Sequence, residues 1–119
     1  MGRLHSAVTR AFELDSAYSK ALYYVGDAQF KLGRTGQARG ELEKYLYIEP
    51  TDTDALLNMA AVELKDNRKA EAEKLFDKAL EADENLHAAW FNKAAFLSGE
   101  GRYGEALPCF SRAIDLMPS

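Results

Sequence analysis

The chain has 119 residues, 47% of them hydrophobic and 29% charged, which is one domain's length with enough apolar material for a continuous core. No apolar run approaches the ~20 residues of a membrane span, and the opening MGRLHSAVTR lacks the apolar segment of a secretory signal. The net charge of −4 arises in residues 53–86, where nine acids face five bases, and no segment has the basic footprint of a nucleic-acid binder.

The spacing of Leu4, Ala7, Val8, Ala11, Phe12 and Leu14 predicts a first helix over 3–14 with one buried face. Asp15 and Ser16 read as a break and an N-cap for a second helix over 17–32, which Gly33 can end in the left-handed conformation. A third helix over 35–48 is stopped by Pro50. Thr51, Asp52 and Thr53 offer capping oxygens to a fourth helix ending near Lys65. Asn67 then stands where Gly33 stood, Asn being the usual substitute for Gly at positive φ. Helices over 68–82, 86–98 and 103–117 complete a set of seven, with a turn from Gly99 to Gly101. Pro108 in the last helix cannot donate to the Gly104 carbonyl, and a local kink is expected there.

A fixed step orders these helices. Subtracting 34 from Ala106, Phe110, Ala113 and Ile114 gives Ala72, Phe76, Ala79 and Leu80, and again gives Ala38, Leu42, Tyr45 and Leu46. A third subtraction reaches Leu4, Val8, Ala11 and Phe12. An alternation of small and large apolar residues that survives three shifts is what a stack of like supersecondary units produces. Phe76 and Phe110 are therefore expected in the core. The chain divides into a half repeat over 1–16 and full repeats over 19–52, 53–86 and 87–119, in one domain over 1–119.

The spacing of Trp90, Lys93, Ala94, Leu97, Ala106, Phe110, Ala113 and Pro118 resembles the tetratricopeptide repeat. Leu22, Val25, Gly26, Gln29, Gly33, Ala38 and Pro50 follow it in the first full unit, and Leu56, Met59, Ala60, Ala72, Phe76 and Ala79 in the second. Lys93 for an apolar residue, Tyr45 for a small one and Glu84 for the closing Pro depart from the pattern. The resemblance implies an all-α, right-handed alpha-alpha superhelix of antiparallel helix pairs. The first helix of each pair would line a concave groove that binds a peptide or protein segment. By the same resemblance, Tyr23, Tyr24, Asp27, Leu57, Asn58, Phe91 and Asn92 fall on that groove. Tyr23, Tyr24, Leu57 and Phe91 would cover apolar side chains of the ligand. Asn58 and Asn92, one repeat apart, would bond its main chain.

The carboxylate clamp of chaperone-binding relatives is not reproduced. Its two Lys, two Asn and Arg correspond here to Tyr23, Asp27, Asn58, Ala88 and Asn92, of which Asn58 alone fits. Catalysis finds no support, and neither a cofactor nor a metal is expected. His5 and His87 lack ligand partners in sequence, and Cys109 has no neighbouring His and reads as a packing thiol. The acids from Glu71 to Glu84 interleave with Lys69, Lys74 and Lys78 as on a solvated helix face. As the chain's only cysteine, Cys109 allows no intramolecular disulfide, which fits a cytoplasmic, non-enzymatic scaffold. The alternative is a self-associating or array-forming repeat module, joined through apolar surface around Leu4, Val8 and Phe12 at one end and Leu107 and Ile114 at the other.

Overall fold

A computed structural model describes residues 2–118, with side chains from Asp15 to Pro118. Every regular element among them is a helix: α1 (Gly2–Lys31), α2 (Thr35–Ile48), α3 (Thr53–Lys65), α4 (Lys69–Ala82), α5 (His87–Gly99) and α6 (Tyr103–Leu116). Six helices replace the expected seven because α1 runs unbroken through Asp15 and Ser16. Those two residues disfavour a helix interior by only a few tenths of a kcal/mol each. No Gly or Pro lies between Arg3 and Val25 to stop the backbone ladder. The side chains of Leu4, His5, Val8, Ala11 and Phe12 lie outside the described residues.

Within each pair the same turn recurs. Gly33, Asn67 and Gly101 take φ of 80°, 60° and 78°. The following amide then reaches back five residues: Arg34 N to Gln29 O (2.9 Å), Arg68 N to Glu63 O (2.8 Å) and Arg102 N to Leu97 O (2.8 Å). This closes the carbonyls that a helix end leaves open, and only Gly or Asn takes such φ cheaply.

The chain forms two compact units, 1–50 and 51–119. In the first, α1 packs on α2 around Leu22, Ala38 and Leu42. Gly26 is needed at the crossing, because a Cβ there would lie 2.9 Å from Leu42 Cγ. Tyr45, large where the repeat has a small residue, is placed edge-on against Tyr23 at 5.3 Å between ring centroids.

In the second unit α3 pairs with α4, α5 pairs with α6, and α5 stacks on α4. Asp52 caps α3 by accepting from the Ala55 amide at 3.2 Å. Phe76 is buried against Ala60 and Ala72, and Phe96 of the next pair leans on it at 5.9 Å. Phe110, one repeat later, is only half-buried, contrary to expectation. The reason is geometric: α5 covers Phe76, whereas Phe110 has Phe91 of its own pair beside it at 6.0 Å and opens on a cavity. Pro108 is exposed, and α6 continues through it as one helix.

Three ion pairs stitch α4 to the following pair. Lys69 Nζ meets Glu100 at 3.0 Å, Arg102 Nη1 donates to both Glu73 oxygens at 2.8 and 2.9 Å, and Lys93 Nζ meets Asp77 at 2.7 Å. The acidic face of α4 is thus partly an interface, and Lys93, out of place in an apolar position, has its partner there. Arg102 also forks onto Glu105 at 2.7 and 2.9 Å, holding that carboxyl below its ordinary pKa.

Candidate functional site

In the second unit, short helices that cross at small residues leave a shallow concavity between the first helices of the two pairs. Between α3 and α5 lies a cavity of about 380 Å³, lined by Leu57, Ala61, Leu64, Phe76, Asn92, Ala95 and Phe96. The 34-residue step explains its walls. Ala61 and Ala95 are equivalent, as are the neighbouring Ala60 and Ala94, buried at the intrapair crossings. With alanine at Ala61 and Ala95, space opens above the Phe76 ring. Leu64 is exposed at one edge, and Asn92 brings an amide to an otherwise apolar rim. That amide offers two donors and one acceptor to a ligand main chain.

A second cavity, about 440 Å³, lies between α5 and α6, lined by His87, Ala88, Phe91, Asn92, Phe110, Ala113, Ile114 and Met117. Its surface is almost wholly apolar, and Phe91 is 54% exposed. Asn92 stands on the ridge between the two cavities. Along the α4–α5 seam a broader depression carries Asp77, Glu81, Asp83 and Lys93, with the Trp90 indole donating to the Glu84 carbonyl at 2.8 Å.

Of the residues singled out in sequence, Leu57 and Asn92 come together at the first cavity, while Phe91 belongs to the second with Asn92. Asn58 is half-buried on α3 and engaged in contacts within the chain. Tyr23, Tyr24 and Asp27 sit on α1 in the other unit, where Tyr23 is edge-on to Tyr24 at 5.4 Å and Asp27 pairs with Lys31 at 2.9 Å. Tyr24 is 67% exposed. Ala61, Leu64, Ala95 and Phe96 complete the first cavity. The resemblance to the repeat family implies groove positions at Ala61, Leu64 and Ala95 but not at Phe96.

Among the described residues no group of three or more His, Cys, Asp or Glu could hold a metal ion, and no helix is long and apolar enough to cross a membrane. Cys109 is buried, and burial pushes its thiol pKa up despite the opposing pull of Lys93, which disfavours a thiolate nucleophile.

The tetratricopeptide-repeat profile matches residues 30–95, and a second profile of the same description matches 87–119. The chain belongs to the tetratricopeptide-repeat family, and its helix pairs are of the alpha-alpha superhelix class. It is similar to the human protein O-mannosyl-transferase TMTC3, at 27% identity over 92% of this chain but only 12% of that protein's length. Among solved structures it resembles MamA, with a TM-score of 0.77 and 15% identity over 92% of this chain and 64% of the other. The first repeat domain of Spaghetti (RPAP3), bound to the HSP90 peptide SRMEEVD, gives a TM-score of 0.78 and 21% identity over 87% and 82% of the two chains. The TPR2B domain of yeast Sti1, in complex with an Hsp70 peptide, gives 0.78 and 23% over 84% and 80%.

Proposed function

We propose that this chain is a non-enzymatic protein-interaction scaffold whose α3–α5 cavity receives an extended or helical segment of a partner protein. The observation that carries the reading is an exposed apolar trough floored by Phe76 and Phe96, edged by Leu57 and Leu64, with the Asn92 amide at its rim. Such a surface suits a segment that presents an apolar side chain downward and main-chain groups to the amide. Family relatives bound to chaperone peptides support peptide binding as the activity of the fold. The ligand class differs here, since Ala88 and Asn92 stand where a clamp would carry cations, and an acidic carboxyl terminus would find no counter-charge. Asn58 adds a second amide one repeat before Asn92, Phe91 extends the apolar contact, and Tyr23, Tyr24 and Asp27 offer a further contact surface on the first unit.

Selection from a peptide library supplies the probe. Asn92→Ala should weaken binding about three- to tenfold, and Asn58→Ala with Asn92→Ala about ten- to a hundredfold. The single Asn92→Ala change, at an exposed side chain, should leave the melting temperature unchanged. Peptides that bind as well after Asn92→Ala, or that do not compete across Leu57 and Leu64, would refute the reading.

A further inference from the structure

The outer face of α6 is a continuous apolar stripe. Tyr103, Leu107, Ile114 and Met117 are 64%, 67%, 68% and 56% exposed, with Phe110 half-buried among them. The spacing of four, three and four residues puts Tyr103, Leu107, Phe110 and Ile114 on one side of the helix, and Met117, just past its end, lines the same cavity as Phe110 and Ile114. A second apolar row runs along α1 and just past it, through Ala21, Val25, Ala28 and Leu32, all exposed. Two such faces on one chain call for an occupant.

The chain itself shows how this kind of face is covered, because α5 lies on α4 one repeat earlier. That contact is made by Lys93 on Asp77, Glu100 on Lys69 and Arg102 on Glu73, with Phe96 on Phe76. Moving the receiving residues forward by 34 turns Asp77, Lys69 and Glu73 into Ser111, Tyr103 and Leu107. Moving the incoming ones back by 68 turns Lys93, Glu100 and Arg102 into Val25, Leu32 and Arg34. In two of the three pairs both charges are lost together: Lys93–Asp77 becomes Val25–Ser111, and Glu100–Lys69 becomes Leu32–Tyr103. In the third, Arg34 is turned to the Gln29 side chain at 3.4 Å, and its aliphatic stem can lie over Leu107. Bulk is exchanged as well. Ala28 replaces Phe96 on the incoming side, while Phe91 replaces Leu57 on the receiving side and sets a ring beside Phe110.

We propose that a second copy of this chain docks its α1 face, through Val25, Ala28 and Leu32, onto the α5–α6 face of the first, in the register in which α5 sits on α4. The charge pattern selects this occupant. A helix of the α5 type would bring Lys, Glu and Arg against Ser111, Tyr103 and Leu107, leaving all three without a counter-charge. The contact is head to tail, so each added copy presents a fresh face and association continues until a ring closes or a filament grows. This inference does not rest on the peptide-binding reading and shares only Phe91 with it.

The test is the mass of the whole chain by sedimentation velocity across a concentration series. The wild type should grow heavier with concentration. Val25→Lys and Ser111→Asp should each weaken association roughly ten- to a hundredfold, because each sets one unpaired charge in the contact. Both positions are exposed in the single chain, and an unchanged circular-dichroism melt confirms that folding is intact. Combining V25K with S111D recreates the Lys93–Asp77 pairing between copies and should restore association. A concentration-independent monomer mass overturns the proposal. Loss with Ser111→Asp but not Val25→Lys would mean that α6 packs on α6 and overturns it too. A double variant no better than either single one would refute the register.

Discussion

Truncating Phe76 probes the stacking of α5 on the α3–α4 pair. The ring is 3% exposed, enclosed by Ala60, Ala72, Leu57 and Leu75, and capped from the next pair by Phe96 at 5.9 Å. Three helices meet on it, so the walls can collapse only by moving a helix. Phe76→Ala should then show the cost of a deeply enclosed aromatic, about 3–5 kcal/mol. Phe110→Ala serves as the internal control. It removes the same atoms one repeat later; both rings border a cavity, but Phe110 is half-buried where Phe76 is 3% exposed. Its cost should be about 1–2 kcal/mol, near that of burying part of one side chain. Urea unfolding followed by circular dichroism reads both. At a slope of about 1.5 kcal/mol/M, Phe76→Ala should lower the midpoint by about 2–3 M and Phe110→Ala by about 1 M. A loss under about 1 kcal/mol for Phe76→Ala, or equal losses at the two sites, would refute the packing described here.

Two glycines in the first unit should respond with opposite sign. Gly26→Ala forces a Cβ to within 2.9 Å of the fully buried Leu42 and should cost about 1–3 kcal/mol, whereas Gly40→Ala in α2 meets nothing within 4 Å and should gain about 0.5–1 kcal/mol. Thermal melts of the two variants decide it. The hydrogen bond from Arg102 lowers the Glu105 pKa in the folded state. Its stabilisation is therefore present above the unfolded carboxyl's pKa and is lost as pH falls through the folded one. The melting temperature should begin to drop only below about pH 4.3, the ordinary Glu pKa, with a shallower drop for Glu105→Gln; parallel pH profiles would refute that account.

Local chemistry was enough to locate most of the helices. Gly33 and Asn67 were readable as left-handed closures because few residues tolerate positive φ, and Pro50 could only end α2. The repeat itself was visible because Ala72, Ala79, Ala106 and Ala113, all buried, recur at the 34-residue step. The continuity of α1 was not visible. Asp15 and Ser16 are cap residues elsewhere, but a cap only forms where the ladder is already broken, and neither breaks it.

The candidate site divides the same way. Leu57, Asn58, Phe91 and Asn92 could be placed on the first helices of their pairs by counting, and the family resemblance implied the face they share. Whether two of them share a cavity depends on the rotation between α3 and α5, which no local pattern encodes. The pairing of Lys93 with Asp77 and of Arg102 with Glu73, across 16 and 29 residues, is of the same kind. Sequence determined which residues could turn, cap and cross, since those are properties of single side chains and their backbone. Only the packing of one pair on the next decided which charges became an interface and which aromatic ring, Phe76 or Phe110, was closed from water, because burial belongs to the neighbours a residue meets in space.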